Sequence, residues 1–363
     1  MKEQKTGILT FHRCINYGSY WQSRCLVEAL QSRGMDAVIL DHESRQVNLA
    51  EWRCAYQPVL PTPVPASDFP LYRRKIERFF EAFDQLPLSP RFPLQHPEQM
   101  GDYNTVVVGS DEVWNLFHPW YGKCPLFFGE GITADRVISY AASFGNYPIE
   151  WGLDDEWTAK LYNFDSISVR DENAQAMIQN AMNIEPALVL DPCLQFPIEL
   201  EKANDQRFEG PYLALYGHNF SKHFVNEIRR WAKHRNLPVI SIGYRNDWAD
   251  VQWLDAGPLD FPQFIQNAEA VATNFFHGCV FSLRFAKPFV CETTVYRSQK
   301  ITGLLTMLDA RKHMVFEDTP ATVIAECLTG PLVQQVFDRI THYRHLSNEF
   351  LMRALDAPQV RVA

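Results

Sequence analysis

The sequence predicts an α/β protein built from two Rossmann-like, doubly wound domains that face each other across a cleft. Three observations carry this. Short β-branched runs alternate with amphipathic helical stretches along most of the chain, the pattern of a parallel sheet covered by helices on both faces. The alternation breaks at a charged segment over 199–209, followed by Gly210-Pro211, and then starts again. A length of 363 residues, with 46% apolar and 21% charged content, suits two globular domains better than one or three.

The elements follow in order. Residues 7–11 (GILTF) read as the first strand, a loop through Gly18 leads into a helix ending near Arg33, and 37–40 (AVIL) form the second strand. Prolines at 58, 61, 63, 65 and 70 exclude a helix or a sheet interior. The segment near 52–100 therefore reads as an insertion carrying an extended surface connection and one basic amphipathic helix, LYRRKIERFFEAF. Its Arg73, Arg74, Lys75 and Arg78 read as a solvated face, with an anionic lipid carrier as the alternative contact. Runs at 105–108, 137–140, 167–169 and 187–190 complete the strands of the first domain. The second set lies at 212–215, 238–242, 270–273 and 289–290, with helices near 221–235, 260–268, 277–286 and 298–309. The domains are thus expected at 1–205 and 206–330, and the helical spacing in 331–363 predicts a C-terminal helix that packs back on the first domain.

Composition narrows the function. Lys plus Arg is 34 against 43 for Asp plus Glu, a net charge of −9, which argues against a broad basic face for nucleic acid. No run of 18 uncharged apolar residues is present to span a membrane, and MKEQKTGILTF lacks a hydrophobic signal region, so the chain reads as cytoplasmic. The eight cysteines show no CxxC or clustered His/Cys spacing, so neither a zinc site nor a redox dithiol is expected, and Cys14 and Cys279 read as packing residues. GxGxxG, GxxxxGK[ST] and GxSxG are all absent. Nothing in the sequence requires a cofactor or a metal.

In doubly wound domains ligands meet the residues just after each strand. His277 and Gly278 sit where a strand turns into a helix; glycine permits a close backbone approach, and the first helix amides can receive an anion. Arg170 ends another strand, placed as a fork for carboxylate or phosphate, or else paired with the neighbouring Asp171 or Glu172. The string from Val108 through Ser110, Asp111 and Trp114 to Asn115 groups a glycine, a hydroxyl, a carboxylate and an amide at a third strand end. It reads as a sugar-hydroxyl site or a satisfied turn. The loop Asn16-Tyr-Gly18-Ser-Tyr-Trp-Gln22 offers a helix start with free amides. Trp21, Trp114, Trp120 and Trp248 fall near predicted loops, where they can stack on sugar rings or pack.

Taken in order, Asn16-Tyr-Gly18 with Gln22, Gly109 to Asn115, Ser139-Tyr-Ala-Ala-Ser143-Phe-Gly145, Ser168-Val-Arg170-Asp171, Leu190-Asp-Pro192, and Phe276-His277-Gly278 with Lys287-Pro-Phe289 resemble the polysaccharide pyruvyl transferase family. The likeness extends from about residue 7 to about 310. It implies a fold similar to GT-B glycosyltransferases and transfer of a pyruvyl group from phosphoenolpyruvate, as co-substrate, to a glycan or lipid-linked saccharide, forming a pyruvate ketal. A lipid-linked acceptor would bring peripheral membrane contact at the inner face. By that likeness His277 is the catalytic histidine and Arg170 a basic residue at the donor site; Asp111 is the second choice as base for the sugar hydroxyl, or else a turn or N-cap residue. Asn16, Gly18, Gln22, Ser110, Trp114, Asn115, Ser143, Phe276 and Gly278 face the substrates. Some members carry Arg two positions before the histidine; this chain has Phe275, and Arg284 and Lys287 read either as helix-end or surface charges or as cations that compensate at the donor site. The competing readings are a GT-B-like transferase using a nucleotide sugar and a non-catalytic carbohydrate-binding relative.

Overall fold

The computed structural model describes residues 5–200, 208, 210–293 and 298–356. The first half runs β1 (Lys5–Leu9), α1 (Tyr17–Gln31), β2 (Asp36–Ile39), β3 (His42–Glu43), α2 (Arg45–Tyr56), α3 (Phe69–Phe83), β4 (Phe92–Pro93), β5 (Tyr103–Val108), β6 (Ala134–Ser139), α4 (Asp155–Leu161), β7 (Ser168–Val169), α5 (Glu172–Met182), β8 (Ala187–Leu188) and α6 (Pro192–Gln195). Strands β2-β1-β5-β6 form a parallel sheet in that order. Its central strands are apolar on both faces, as a sheet covered on both sides requires. A parallel bridge from Ile138 to Ser166 leads on to the β7–β8 pair.

The second half runs β9 (Leu213–Tyr216), α7 (Lys222–His234), β10 (Val239–Ile242), β11 (Val251–Trp253), α8 (Asp260–Asn267), β12 (Ala270–Thr273), α9 (Phe276–Arg284), β13 (Phe289–Glu292), α10 (Ser298–Met307), β14 (Met314–Val315), α11 (Ala321–Thr329) and α12 (Gln334–Asp356). Its six strands are parallel, in the order β11-β10-β9-β12-β13-β14. The short β11 and β14 escape the sequence pattern because three and two residues are too few to show a period. The domain boundary expected at 205–206 and the tail beyond 356 lie outside the described residues.

Side-chain caps at three strand-to-helix turns build the floor of the site. Asn16 accepts from the amides of Gly18 and Ser19 at the start of α1, Asp171 from Ala174 at the start of α5, and Asp191 from Cys193 at the start of α6. Polar side chains at these positions replace the missing intrahelical acceptors. Fixed oxygens thereby line the carboxyl ends of β1 and of the β7–β8 pair.

One apolar core crosses both halves. The ring of Tyr17 stacks on Phe261 at 4.8 Å, its hydroxyl donates to the Ala256 carbonyl, and Trp21 Nε1 donates to the Pro258 carbonyl. Trp21 is therefore an interdomain packing residue. Trp248 packs against Phe220, and Trp120 alone of the remaining candidates reaches the cleft. Helix α3 spans the gap: Arg78 bonds Asp260, Arg245 bonds Asp68, and Tyr72 accepts from the Arg245 amide. The expected solvated basic face holds for Arg74, which pairs with Glu77 and Glu81, but not for Lys75. Lys75 shares the inward stripe of Tyr72, Ile76, Phe79 and Phe83 and is 2% exposed.

Helix α12 lies against the first half. Arg344 Nε donates to the Leu194 carbonyl, and the buried Ser347 hydroxyl accepts from the Leu190 amide at 2.9 Å while donating to Tyr343. Removing that hydroxyl strands a buried N–H. Ser347→Ala should therefore cost about 1–3 kcal/mol, read as a lower urea midpoint at constant slope. An unchanged midpoint contradicts this account of the contact.

Candidate active site

A cleft of about 430 Å³ opens between the two sheets. The first half contributes Asn16, Ser19, Asp111 and Arg170, with Glu51 from α2 and Lys75 from α3, and the second half Tyr216, His218 and Asn274 to His277.

At its base lies a buried guanidinium. Arg170 is 1% exposed; Nη1 donates to Asp191 Oδ2 at 2.9 Å and Nη2 to Asp111 Oδ1 at 3.2 Å. Its plane lies over the Phe276 ring, 4.7 Å from the centroid, a cation–π contact made across the domain boundary. Asp111 adopts φ +76°, a left-handed backbone that a non-glycine residue holds only when its surroundings fix it. Ser19 Oγ donates to its Oδ2 at 2.7 Å, and the Glu112 amide to its Oδ1. Asp191 Oδ2 also faces His277 Nε2 at 3.6 Å. Burial pushes the Asp191 carboxyl upward, but His277 and Arg170 more than offset this and hold it well below the usual carboxylate range. A second ion pair, Lys300 with Glu112, crosses between the halves at 2.5 Å. Burial raises the Glu112 carboxyl, yet Lys300 brings it down to about 2.

His277 is wedged in place. A Cβ on Gly18 would come within 1.9 Å of its Nδ1, so the glycine makes room for the ring. His277 Nε2, Arg170 Nε and Asn274 Oδ1 are buried without a hydrogen-bond partner among the described residues. All three side chains line the cleft. Buried polar atoms are nearly always satisfied, and these three come from both sides of the cleft, Arg170 from the first half and Asn274 and His277 from the second, which marks the place for a polar ligand.

The structure brings together Asn16, Asp111, Arg170, Phe276 and His277 at this cleft. It gives several other expected contacts a different part. Both Nη groups of Arg170 are already engaged, so it organises carboxylates instead of standing open as a fork, and its partners are Asp111 and Asp191, not Asp171 or Glu172. The Gly18 and Ser19 amides are capped by Asn16, and those of Gly278 and Cys279 donate to the Phe275 carbonyl, so neither helix start offers a row of free amides. Gly278, in α9, is required by the close approach of β12: a Cβ there would meet Thr273 Oγ1 at 2.1 Å. Gln22 and Ser110 bond each other at 2.6 Å behind the site. Trp114 donates to the Phe127 carbonyl within a separate apolar cluster of the first half, Asn115 holds Glu112, and Ser143 donates to Asp171. Arg284 donates to the Cys193 and Leu194 carbonyls at the far end of α9, and Lys287 lies off the cleft wall. Neither compensates for Phe275, whose ring packs with Tyr216, His218 and Tyr244 at 5.0–5.4 Å.

Five site residues escape the strand-end reading: Asp191, Glu112, Lys300, Glu51 and Lys75. Lys75 donates to the Gly243 carbonyl at 3.0 Å and lies 4.6 Å from the Tyr244 ring centroid. A signal was present for it, since 72, 75, 79 and 83 follow helical spacing. Asp191, Cys193 and His277 hold three ligand-type atoms within 4.8 Å, an arrangement able to hold a metal ion. Arg170 already supplies the positive charge opposite Asp191, which suits a proton-handling pair.

Two parallel-sheet domains enclosing a polar cleft, with a histidine against a buried aspartate, define a two-domain protein of GT-B-like architecture. Residues 16–294 match the family model described as polysaccharide pyruvyl transferase. The chain belongs to that family and is an enzyme of that kind. No curated protein matches the sequence. Among solved structures, a putative UDP-N-acetylglucosamine 2-epimerase from Listeria monocytogenes aligns over 100% of both chains with TM-score 0.54 and 11% identity. A MnaA–UDP co-structure from S. aureus covers 97% of this chain and 96% of its own, with TM-score 0.50 and 12% identity. These likenesses bear on the fold. Among the described residues no helix is long and apolar enough to cross a membrane.

Two outcomes follow. Arg170→Met leaves Asp111 and Asp191 buried and unpaired, which should destabilise the protein by about 3–5 kcal/mol, and adding Asp111→Asn and Asp191→Asn should restore much of it; a neutral single variant in urea unfolding contradicts the ion-pair account. Burial pushes the Lys75 ammonium down to about 7, whereas an unfolded lysine holds its proton to about 10.4. Between roughly pH 7 and 10 unfolding therefore takes up a proton, and stability rises with pH. The melting temperature of Lys75→Met relative to wild type should be higher at pH 6 than at pH 9; a flat difference contradicts the burial of a charge there.

Proposed function

We propose that the protein transfers a pyruvyl group from phosphoenolpyruvate to two hydroxyls of a sugar in a polysaccharide or its lipid-linked precursor, forming a cyclic ketal. The observation that carries this is His277 held against Asp191 at a polar cleft, in a chain of the pyruvyl transferase family.

The chemistry needs a proton at the donor's methylene carbon and a place for its two anionic groups. His277, with the Asp191 carboxylate beside its Nε2, is the group that delivers the proton. Positive character develops at the adjacent carbon, one sugar oxygen adds there, the bond to the phosphate oxygen breaks, and the second hydroxyl closes the ring. Lys300, paired with Glu112, and Lys75, whose protonated form a bound anion favours, are the cations beside the donor's anions, with Asn16, Ser19 and Asn274 as hydrogen-bonding partners. Lys75, beside the aromatic group of Tyr244 and Phe275, stands in for the guanidinium that Phe275 replaces. Arg170 is a positioning residue: it fixes Asp191, and Asp191 faces the imidazole.

Phosphate release from phosphoenolpyruvate, with a gain of about 70 Da on the acceptor from adding pyruvate and losing water, is the expected result; a gain of about 162 Da from a nucleotide sugar overturns the donor assignment. His277→Gln should lower turnover by about 10²–10⁴-fold with the melting temperature retained. Unchanged turnover removes His277 from the reaction.

A further inference from the structure

Ketal formation also needs a group that takes a proton from the attacking sugar. Asp111 is poorly free to do so. Its two oxygens accept from Ser19, the Glu112 amide and Arg170, and the guanidinium balances its charge.

Glu51, on the inward face of α2 with Val47, is in a different condition. It is 8% exposed and lines the cleft. Its Oε2 accepts from the Ile15 amide at 3.3 Å, and the Cys14 thiol lies within hydrogen-bond reach. Among the described residues it has no ion pair. Burial raises its carboxyl to about 7, so proton uptake and release near neutral pH are both easy.

Glu51 and Ile15 also line a second recess of about 280 Å³, walled by Arg13, Asn48, Asp84, Arg91 and the half-exposed ring of Phe80. Guanidinium, amide and carboxylate groups beside an aromatic surface are the chemistry that holds a polyhydroxylated sugar. The two spaces meet at Glu51. We propose that Glu51 is the base that accepts the proton of the attacking sugar hydroxyl, and that the recess behind it holds the next sugar residue of the acceptor. This rests on the pyruvyl-transfer reading.

The protons balance. Glu51 takes the proton of the first hydroxyl as its oxygen bonds to the donor carbon. The carbon–oxygen bond to phosphate then breaks, and the departing phosphate receives that proton from Glu51. The second hydroxyl closes the ring and gives its proton to His277, replacing the one delivered to the methyl group. Both side chains return to their starting states.

The test runs on the full-length protein with phosphoenolpyruvate and matched monosaccharide and disaccharide acceptors. Absence of phosphate release by wild type, with either acceptor, overturns the donor reading and this one with it. With wild type active, Glu51→Gln should lose about 10²–10⁴-fold in kcat while keeping its melting temperature and the thermal shift produced by phosphoenolpyruvate. Glu51→Ala should regain rate in formate, a small carboxylate that fits the vacated space. A Glu51→Gln enzyme at wild-type kcat overturns the base; so does a loss accompanied by a lower melting temperature and no formate rescue. Asn48→Ala should raise KM for the disaccharide about tenfold and leave the monosaccharide unaffected. An equal effect on both acceptors overturns the recess as a sugar subsite.

Discussion

The cleft depends on one buried cation. Arg170 holds Asp111 from the end of β5 and Asp191 from the cap of α6, and its flat face lies on Phe276 from the opposite domain. Taking a guanidinium and two carboxylates out of water is expensive, and the arrangement stands only because each charge has partners at good geometry. That requirement fixes Asp191 at the distance from which it faces His277. The same requirement holds Asp111 in a backbone conformation it would not otherwise adopt. Stability and site geometry are therefore one problem at this point in the molecule, and His277 is placed by an ion network that it joins through Asp191.

The second constraint is charge distribution. A chain with a net charge of −9 repels an anionic small molecule at long range, so any affinity must come from short-range groups inside a low-dielectric cleft. The cations are supplied from separate elements. Lys300 arrives from α10 already paired with Glu112, and Lys75 arrives from the insertion, desolvated beside aromatic rings. The insertion is thus a wall of the site as well as a clamp between domains, and Phe275 belongs to an aromatic surface that a lysine borders.

Much of the fold could be read from sequence because β-branched runs and helical spacing persist over long segments. Most strands of both sheets and helices α1, α3, α7, α8, α9 and α10 lie within a few residues of where the pattern puts them. His277, Arg170 and Asp111 could be found because doubly wound domains expose strand ends. Their partners could not. Arg170 sits next to Asp171 in the chain, yet Asp171 turns to the amides of its own helix while Arg170 reaches Asp191 and Asp111, 21 and 59 residues away. Gln22, Ser110 and Ser143 carry the right chemistry at the right strand ends but face neighbouring side chains behind the cleft, a direction sequence does not encode. Lys75 was hidden by its arginine neighbours, although its spacing to Tyr72 and Phe79 puts it on the buried stripe. Glu51 follows Val47 by four residues on a helix that the proline-rich surroundings obscured.

The account comes down to where the donor sits. A crystal structure of the protein with an unreactive phosphoenolpyruvate analogue tests it most directly. The expected result places the methylene-equivalent carbon against the His277 ring, with phosphate and carboxylate toward Lys75 and Lys300 and with Arg170 still bridging Asp111 and Asp191. An analogue bound outside the cleft, or one that draws the Arg170 guanidinium off both aspartates onto its own phosphate, would contradict it.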